Sequence, residues 1–200
     1  MPPDTLILSF DTSAAHCAAA LLSGSRILGT MYEPMEKGQA ERLMPMLETL
    51  LATHNHTWRH LTAIGVGTGP GNFTGVRIAV AAARGLALGL GIPAIGVTRL
   101  EALAHGHARP VTVIIDARRD EIYIQSFTDT PLPARIAPSD ASGDVIGTVI
   151  TGDVPPDQLT TAIARIAATR LTTPQPRPAP FYLRSADAAP SSDPGPVILP

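Results

Sequence analysis

Apolar residues recur along this chain in two rhythms, and the change from one to the other marks its elements. Short apolar runs at 5–10, 17–22 and 26–31 predict three strands. Asp11-Thr12-Ser13 is a polar turn after the first, and Ser23-Gly24-Ser25 joins the other two as a hairpin. Over 38–53 the period lengthens. Leu43, Met44, Met46, Leu47, Leu50 and Leu51 fill one arc of roughly 160°, which predicts a helix. Pro45 stands inside that pattern, so the helix begins near Met44 or bends. Residues 61–66 predict a buried strand, and 74–90 predict a long apolar helix capped by Thr74. Gly91-Ile92-Pro93 stops it. A strand at 94–97 and a helix from Thr98, whose hydroxyl and Glu101 form a capping box, complete the first half. Further on, 111–115, 122–127 and 145–151 predict strands and 158–169 a helix. Residues 128–144 read as loop, 172–180 as a proline-rich connector, and 181–184 as a last ordered element. This alternation predicts an α/β fold of mixed sheet covered by helices. The divisions expected are a first lobe over 1–108, a reduced second lobe over 109–184 and a mobile tail over 185–200.

The helix over 74–90 has two unlike faces. Val76, Val80, Ala83, Ala87 and Leu90 form a core stripe. Ile78, Ala81, Ala82, Gly85 and Gly89 lie opposite, with Ala81, Gly85 and Gly89 four apart. An interior glycine costs a helix about 1 kcal/mol relative to alanine, which close approach by another helix would offset. The helix is thus either sandwiched inside its own lobe or buries one side against a partner. The glycine-rich residues ahead of it, 67–75, read as backbone conformations that a Cβ would forbid.

Composition narrows the chemistry. The net charge of −2 gives no general attraction to nucleic acid, and aromatics at 4% give little to stack on bases. The lone Cys17 excludes an internal disulfide framework and a cysteine-only zinc site. Without a basic leader or a long enough apolar start, a cytoplasmic protein is the expectation. The histidines at 54, 56 and 60 fit no standard zinc spacing, so no metal is expected. Asp11 and Asp116, each at a strand end, are the candidate charged sites. Either Asp11, with Thr12 and Ser13, faces a nucleotide phosphate and its metal, or its side chain merely caps the turn. Asp116, beside Arg118, Arg119, Asp120 and Glu121, either faces the same phosphates or sits in a charged hairpin.

Three antiparallel strands with Asp11 at the first turn resemble the opening of the actin–sugar kinase–Hsp70 (ribonuclease H-like) fold. Gly69-Pro70-Gly71-Asn72-Phe73-Thr74-Gly75-Val76-Arg77 closely resembles the Gly-Pro-Gly-Ser-Phe-Thr-Gly-Leu-Arg signature of the TsaB (YeaZ) family. Phe10-Asp11-Thr12-Ser13, Arg42-Leu43-Met44-Pro45-Met46, Ile115-Asp116-Ala117-Arg118, Glu121-Ile122-Tyr123 and Tyr182-Leu183-Arg184 follow the family in order. The resemblance implies that fold, with a complete first lobe and a reduced second one. It implies a non-catalytic subunit that heterodimerises with TsaD, is joined by TsaE, and pairs with itself when alone. It implies transfer of threonylcarbamoyl by the complex to N6 of adenosine 37 in tRNAs that read codons beginning with A, with tRNA met only through the complex. The two first-lobe helices would carry the interface, which points to Leu43, Met46, Leu47, Leu50, Arg77, Ile78, Ala81, Ala82, Gly85 and Gly89. The transferase's H-x-x-x-H metal motif is replaced here by Gln39 and Leu43. No cofactor is expected of this chain, with ATP and magnesium left to the assembled complex. The competing expectation is an ATP-binding phosphotransferase or ATPase using Asp11 and Asp116. A peptidase lacks any Ser/His/Asp or Cys/His arrangement.

Overall fold

Strand β1 (Leu6–Asp11) is buried along its whole length, as a strand covered on both faces must be. The structure is a computed structural model and describes residues 5–141, 145–152 and 154–184; the tail expected over 185–200 lies outside them. From β1 the chain turns back through β2 (His16–Ser23) and β3 (Arg26–Pro34), both antiparallel. β4 (Ala63–Gly67) and β5 (Ala94–Val97) extend the other side in parallel. The order β3-β2-β1-β4-β5 is that of a ribonuclease H-like sheet.

Alternation along β1 divides the core. Leu6, Leu8 and Phe10 pack with Leu43, Met46, Leu47, Ala79 and Ala83 of α1 (Gln39–Thr53) and α2 (Phe73–Leu90). Ile7 points the other way, to Ala164, Ala167 and Ala168 of α4 (Pro156–Arg170). Period-two alternation puts neighbouring side chains on opposite sheet faces, so the first sheet has a helix pair on one face and α4 on the other. Gly65 in β4 is what lets α4 lie close: a Cβ there would stand 3.1 Å from Ile163 and 3.2 Å from Ala167. Ser9 fastens the contact by donating its hydroxyl to the Thr160 carbonyl at 2.7 Å.

A second sheet, in the order β8-β7-β6-β9, is built from β6 (Val111–Arg118), β7 (Glu121–Phe127), β8 (Arg135–Pro138) and β9 (Thr148–Thr151). The short α3 (Arg99–Ala104), opened by the Thr98–Glu101 capping box, packs between this sheet and α4.

Four expectations change. β8 lies inside the segment read as loop, because alternation over four residues flanked by prolines is too short to register. α4 follows β9 in sequence but packs across the first sheet, so the boundary at 109 separates the sheets and not the helices. α1 begins at Gln39, not near Met44, and Pro45 lies inside it, where it cannot donate to the Glu41 carbonyl. The cap of α2 is Asn72, not Thr74: its Oδ1 accepts from the Gly75 N–H at 2.9 Å.

Gly65→Val is therefore expected to force β4 and α4 apart and lower the unfolding free energy by about 1–3 kcal/mol, read by urea denaturation.

Candidate functional site

Two loops meet at the carboxyl ends of β1 and β4. The Thr12 hydroxyl donates to the Gly75 carbonyl at 2.6 Å, and the Asn72 N–H donates to the Ser13 carbonyl at 2.6 Å. A Cβ on Gly75 would lie 1.9 Å from the Thr12 carbonyl oxygen, and one on Gly71 2.3 Å from that of Ser13. These glycines serve close approach rather than unusual backbone angles. Of the stretch 67–75, only Gly69 has positive φ, at 91°. The loop is held from behind as well. Thr68 donates to the Val97 carbonyl at 2.9 Å and accepts from the Phe181 N–H at 2.8 Å, and Gly69 accepts from the Arg99 N–H at 2.7 Å.

Asp11 is 1% exposed. Its Oδ1 accepts from the Ser13 N–H (3.0 Å) and hydroxyl (2.8 Å) and meets His16 Nε2 at 3.1 Å. Among the described residues its Oδ2 has no hydrogen-bond partner, and it faces Gly67, where a Cβ would stand 2.0 Å away. Burial pushes the Asp11 pKa up, but the His16 hydrogen bond and charge, with the Ser13 donors, outweigh it and hold the carboxyl below its ordinary value. Of the two readings of Asp11, the geometry is that of the turn cap.

Between the lobes lies a cleft of about 910 Å³. Ser13, Asn72 and Phe73 line it from one side and Asp116, Arg118 and Tyr123 from the other. Asp116 is exposed, and its carboxylate accepts from the Arg118 N–H at 2.8 Å. Ser13 and Asp116 thus share the cleft, while Asp11 and Thr12 lie beneath its wall. Among the described residues no group of three or more His, Cys, Asp and Glu is placed to hold a metal. Cys17 is buried, and desolvation with the nearby Glu33 pushes its thiol up to about 11, which leaves it a poor nucleophile.

The second candidate surface is α2. Its fully buried residues, Gly75, Val76, Ala79, Val80 and Ala83, all lie before Arg84. By length and composition α2 could cross a bilayer, with mean hydropathy 1.4, and 33% of it is buried. Ala81, Gly85 and Gly89 face outward, with nothing within 4 Å of a Cβ on either glycine. Ile78 and Ala82 are half-buried, and Leu88 is 85% exposed. Between α1 and α2 runs an apolar groove of about 520 Å³, with Met44 and Trp58 on one side and Ala82, Gly85 and Gly89 on the other. Leu43, Met46, Leu47 and Leu50, expected at the interface, are instead 0–2% exposed. They face β1 and β2, so the apolar stripe of α1 is core, and Met44 is what that helix presents to the groove.

Arg77 is exposed and lies 3.6 Å over the Phe73 ring, with Nε donating to the Tyr182 hydroxyl at 2.8 Å. Phe73 and Tyr182 stack at 5.1 Å. Arg184 pairs with Glu121 and donates to the Ala117 carbonyl at 3.1 Å. The Tyr182-Leu183-Arg184 motif therefore ties the glycine loop to the second lobe. Sequence reading misses this role, because more than 100 residues separate Arg77 from Tyr182.

Because the folded-state pKa of Asp11 is depressed, its contribution is present above the unfolded value and is lost as pH falls through the folded one. Chemical denaturation of the wild type is expected to show stability falling from about pH 4 downward. Asp11→Asn should be less stable at pH 7 and show a shallower acid slope.

The tRNA threonylcarbamoyladenosine biosynthesis protein TsaB of Escherichia coli is 37% identical over 122 residues, 58% of this chain and 52% of that protein. The TsaB of Bacillus subtilis is 36% identical over 120 residues, with the same two shares. The chain spans about half the length of the curated relatives it matches. A YeaZ structure from Pseudomonas aeruginosa superposes with a TM-score of 0.73 at 27% identity, covering 90% of this chain and 100% of that one. The profile of the family described as TsaD: tRNA N6-adenosine threonylcarbamoyltransferase matches residues 26–175. With the fold and the glycine loop in place, that match over most of its length makes the chain a member of the TsaD family, with relatives of the TsaB (YeaZ) type.

Proposed function

We propose that this chain is the non-catalytic, TsaB-type subunit of the machinery that makes N6-threonylcarbamoyladenosine in tRNA. Its work is to bind a TsaD protein through the outer face of α2 and the groove beside it. The observation that carries this reading is the uncovered small-residue face: Ala81, Gly85 and Gly89 stand open beside a groove floored by apolar side chains. Two helices pack most closely where glycine and alanine meet, and an apolar helix face left in water is otherwise unfavourable. A partner helix laid along it would bury Leu88 and the rims of Met44 and Leu86. TsaE would join the assembled pair, tRNA would be met through the complex, and the same face would support self-pairing when TsaD is absent. Relatives named for tRNA threonylcarbamoyladenosine biosynthesis support the pathway. The buried carboxylate of Asp11, committed to Ser13 and His16, supports a role without chemistry.

Ala81→Glu and Gly85→Arg place charge on that face without touching the core. Each is expected to abolish the one-to-one complex with TsaD in analytical ultracentrifugation while leaving thermal melting unchanged. A variant that still forms the complex at wild-type affinity would remove the face from the interface. As a contrast, Leu47→Ala should cost about 2–5 kcal/mol of stability, because that residue is core.

A further inference from the structure

The first sheet has an open edge at β5, and the space beside it is shaped. A groove of about 720 Å³ runs along this edge. The outer side of α2, with Arg84, Ala87 and Leu88, forms one wall. The connector after α4, with Arg177 and Pro178, forms the other, and Ala94 and Ile95 lie between them.

The backbone register says which groups face it. The Ile64 N–H donates to the Pro93 carbonyl at 3.0 Å and the Thr68 N–H to the Val97 carbonyl at 2.9 Å. In a parallel ladder of that phase, Ile95 and Val97 direct their backbone groups inward to β4, and Ala94 and Gly96 direct theirs outward. The Gly96 carbonyl accepts from Arg170 Nη1 at 3.2 Å. The outward N–H and carbonyl of Ala94 and the N–H of Gly96 have no partner among the described residues. A row of such groups is a template for another strand.

Charge selects the occupant. Three arginines and no acid line the groove. Arg170 is neutralised by Glu101, at 2.5 Å. Arg84 and Arg177 are exposed and have no ion-pair partner among the described residues. Between them the α2 wall is apolar, with Ala87, Leu88 and Ile92, and the connector wall carries the polar Thr172, Thr173 and Gln175.

We propose that the β5 edge is a second docking site, for an extended acidic segment of a partner protein. The segment would add as a strand beside β5, with its carboxylates on Arg84 and Arg177 and its apolar side chains against the half-buried Ala87 and Ile92. Strand addition of this kind takes affinity from main-chain hydrogen bonds and specificity from alternate side chains. The site borders the helix face proposed for TsaD, sharing Gly85 and Leu88 with it, while its own charges and strand edge lie outside that face.

The probe is a blocked eight-residue peptide alternating valine and glutamate, with a valine–lysine peptide of equal length as control. Binding to the full chain is read by fluorescence anisotropy and amide hydrogen exchange. The acidic peptide is expected to bind at sub-millimolar concentration and slow exchange at Ala94 and Gly96, with the basic peptide at least about tenfold weaker. Arg84→Glu with Arg177→Glu should reverse that preference, and Ala94→Pro, which removes one outward donor, should abolish protection. The arginine double variant should melt as the wild type does, because it changes exposed side chains. Failure of the acidic peptide to bind, equal binding of both peptides, or binding unchanged in the double variant would overturn the proposal. So would protection at the opposite edge, β3, or protection of β5 by bulk tRNA in place of the acidic peptide.

Discussion

The close contact between the turn after β1 and the loop before α2 fixes the geometry of the first lobe. Two backbones approach so nearly that glycine is the only residue that fits at 71 and 75. The hydroxyl of Thr12 and the carbonyl of Ser13 complete the seam from the other side. A turn of this kind with free donors could wrap an anion. Here the donors are already committed: Ser13 gives its N–H and hydroxyl to Asp11, and Asn72 gives its N–H to Ser13. The same seam aims α2. Asn72 caps the helix within the loop that is pinned, so the direction in which the helix leaves the lobe is set at its first turn.

From that start α2 outruns its cover. The sheet and α1 bury it as far as Ala83, and beyond that no residue is fully enclosed. The chain then places glycines at 85 and 89 and a leucine at 88, which is a poor choice for a helix end meant to stay in water. Glycine lowers intrinsic helix stability, so its presence there needs a compensating contact. Within the described residues none exists. The lobe is thus asymmetric: α4 packs its alanines against one face of the sheet, and the opposite face ends in an open ridge.

The parts of this architecture that are readable in the amino-acid sequence are those governed by local rules. The three opening strands, the capping box at Thr98 and the glycine stop at Gly91 depend on a few neighbouring residues. The two faces of α2 follow from helical period alone. The apolar stripe of α1 is visible too, but period cannot say whether a stripe meets its own sheet or a stranger. Leu43, Met46, Leu47 and Leu50 meet their own sheet, which takes tertiary structure to see. Long-range partnerships are hidden for the same reason. Nothing near Arg77 announces Tyr182, nothing near Gly65 announces Ile163, and the return of α4 to the first sheet has no local signal. The glycine loop is legible but its cause is not, since close approach and unusual dihedral angles call for the same residue.

The single cysteine is shut between β2 and the start of α1, with its sulfur 3.6 Å from that of Met35 and its proton tightly held. The natural chain is in consequence nearly silent toward thiol reagents while folded. A cysteine placed by substitution at an open position on the ridge of α2 would be the one site that a maleimide dye or spin label modifies, with no need to remove the native residue first. The protein thereby comes prepared as a background for measuring distances across whatever assembly it joins.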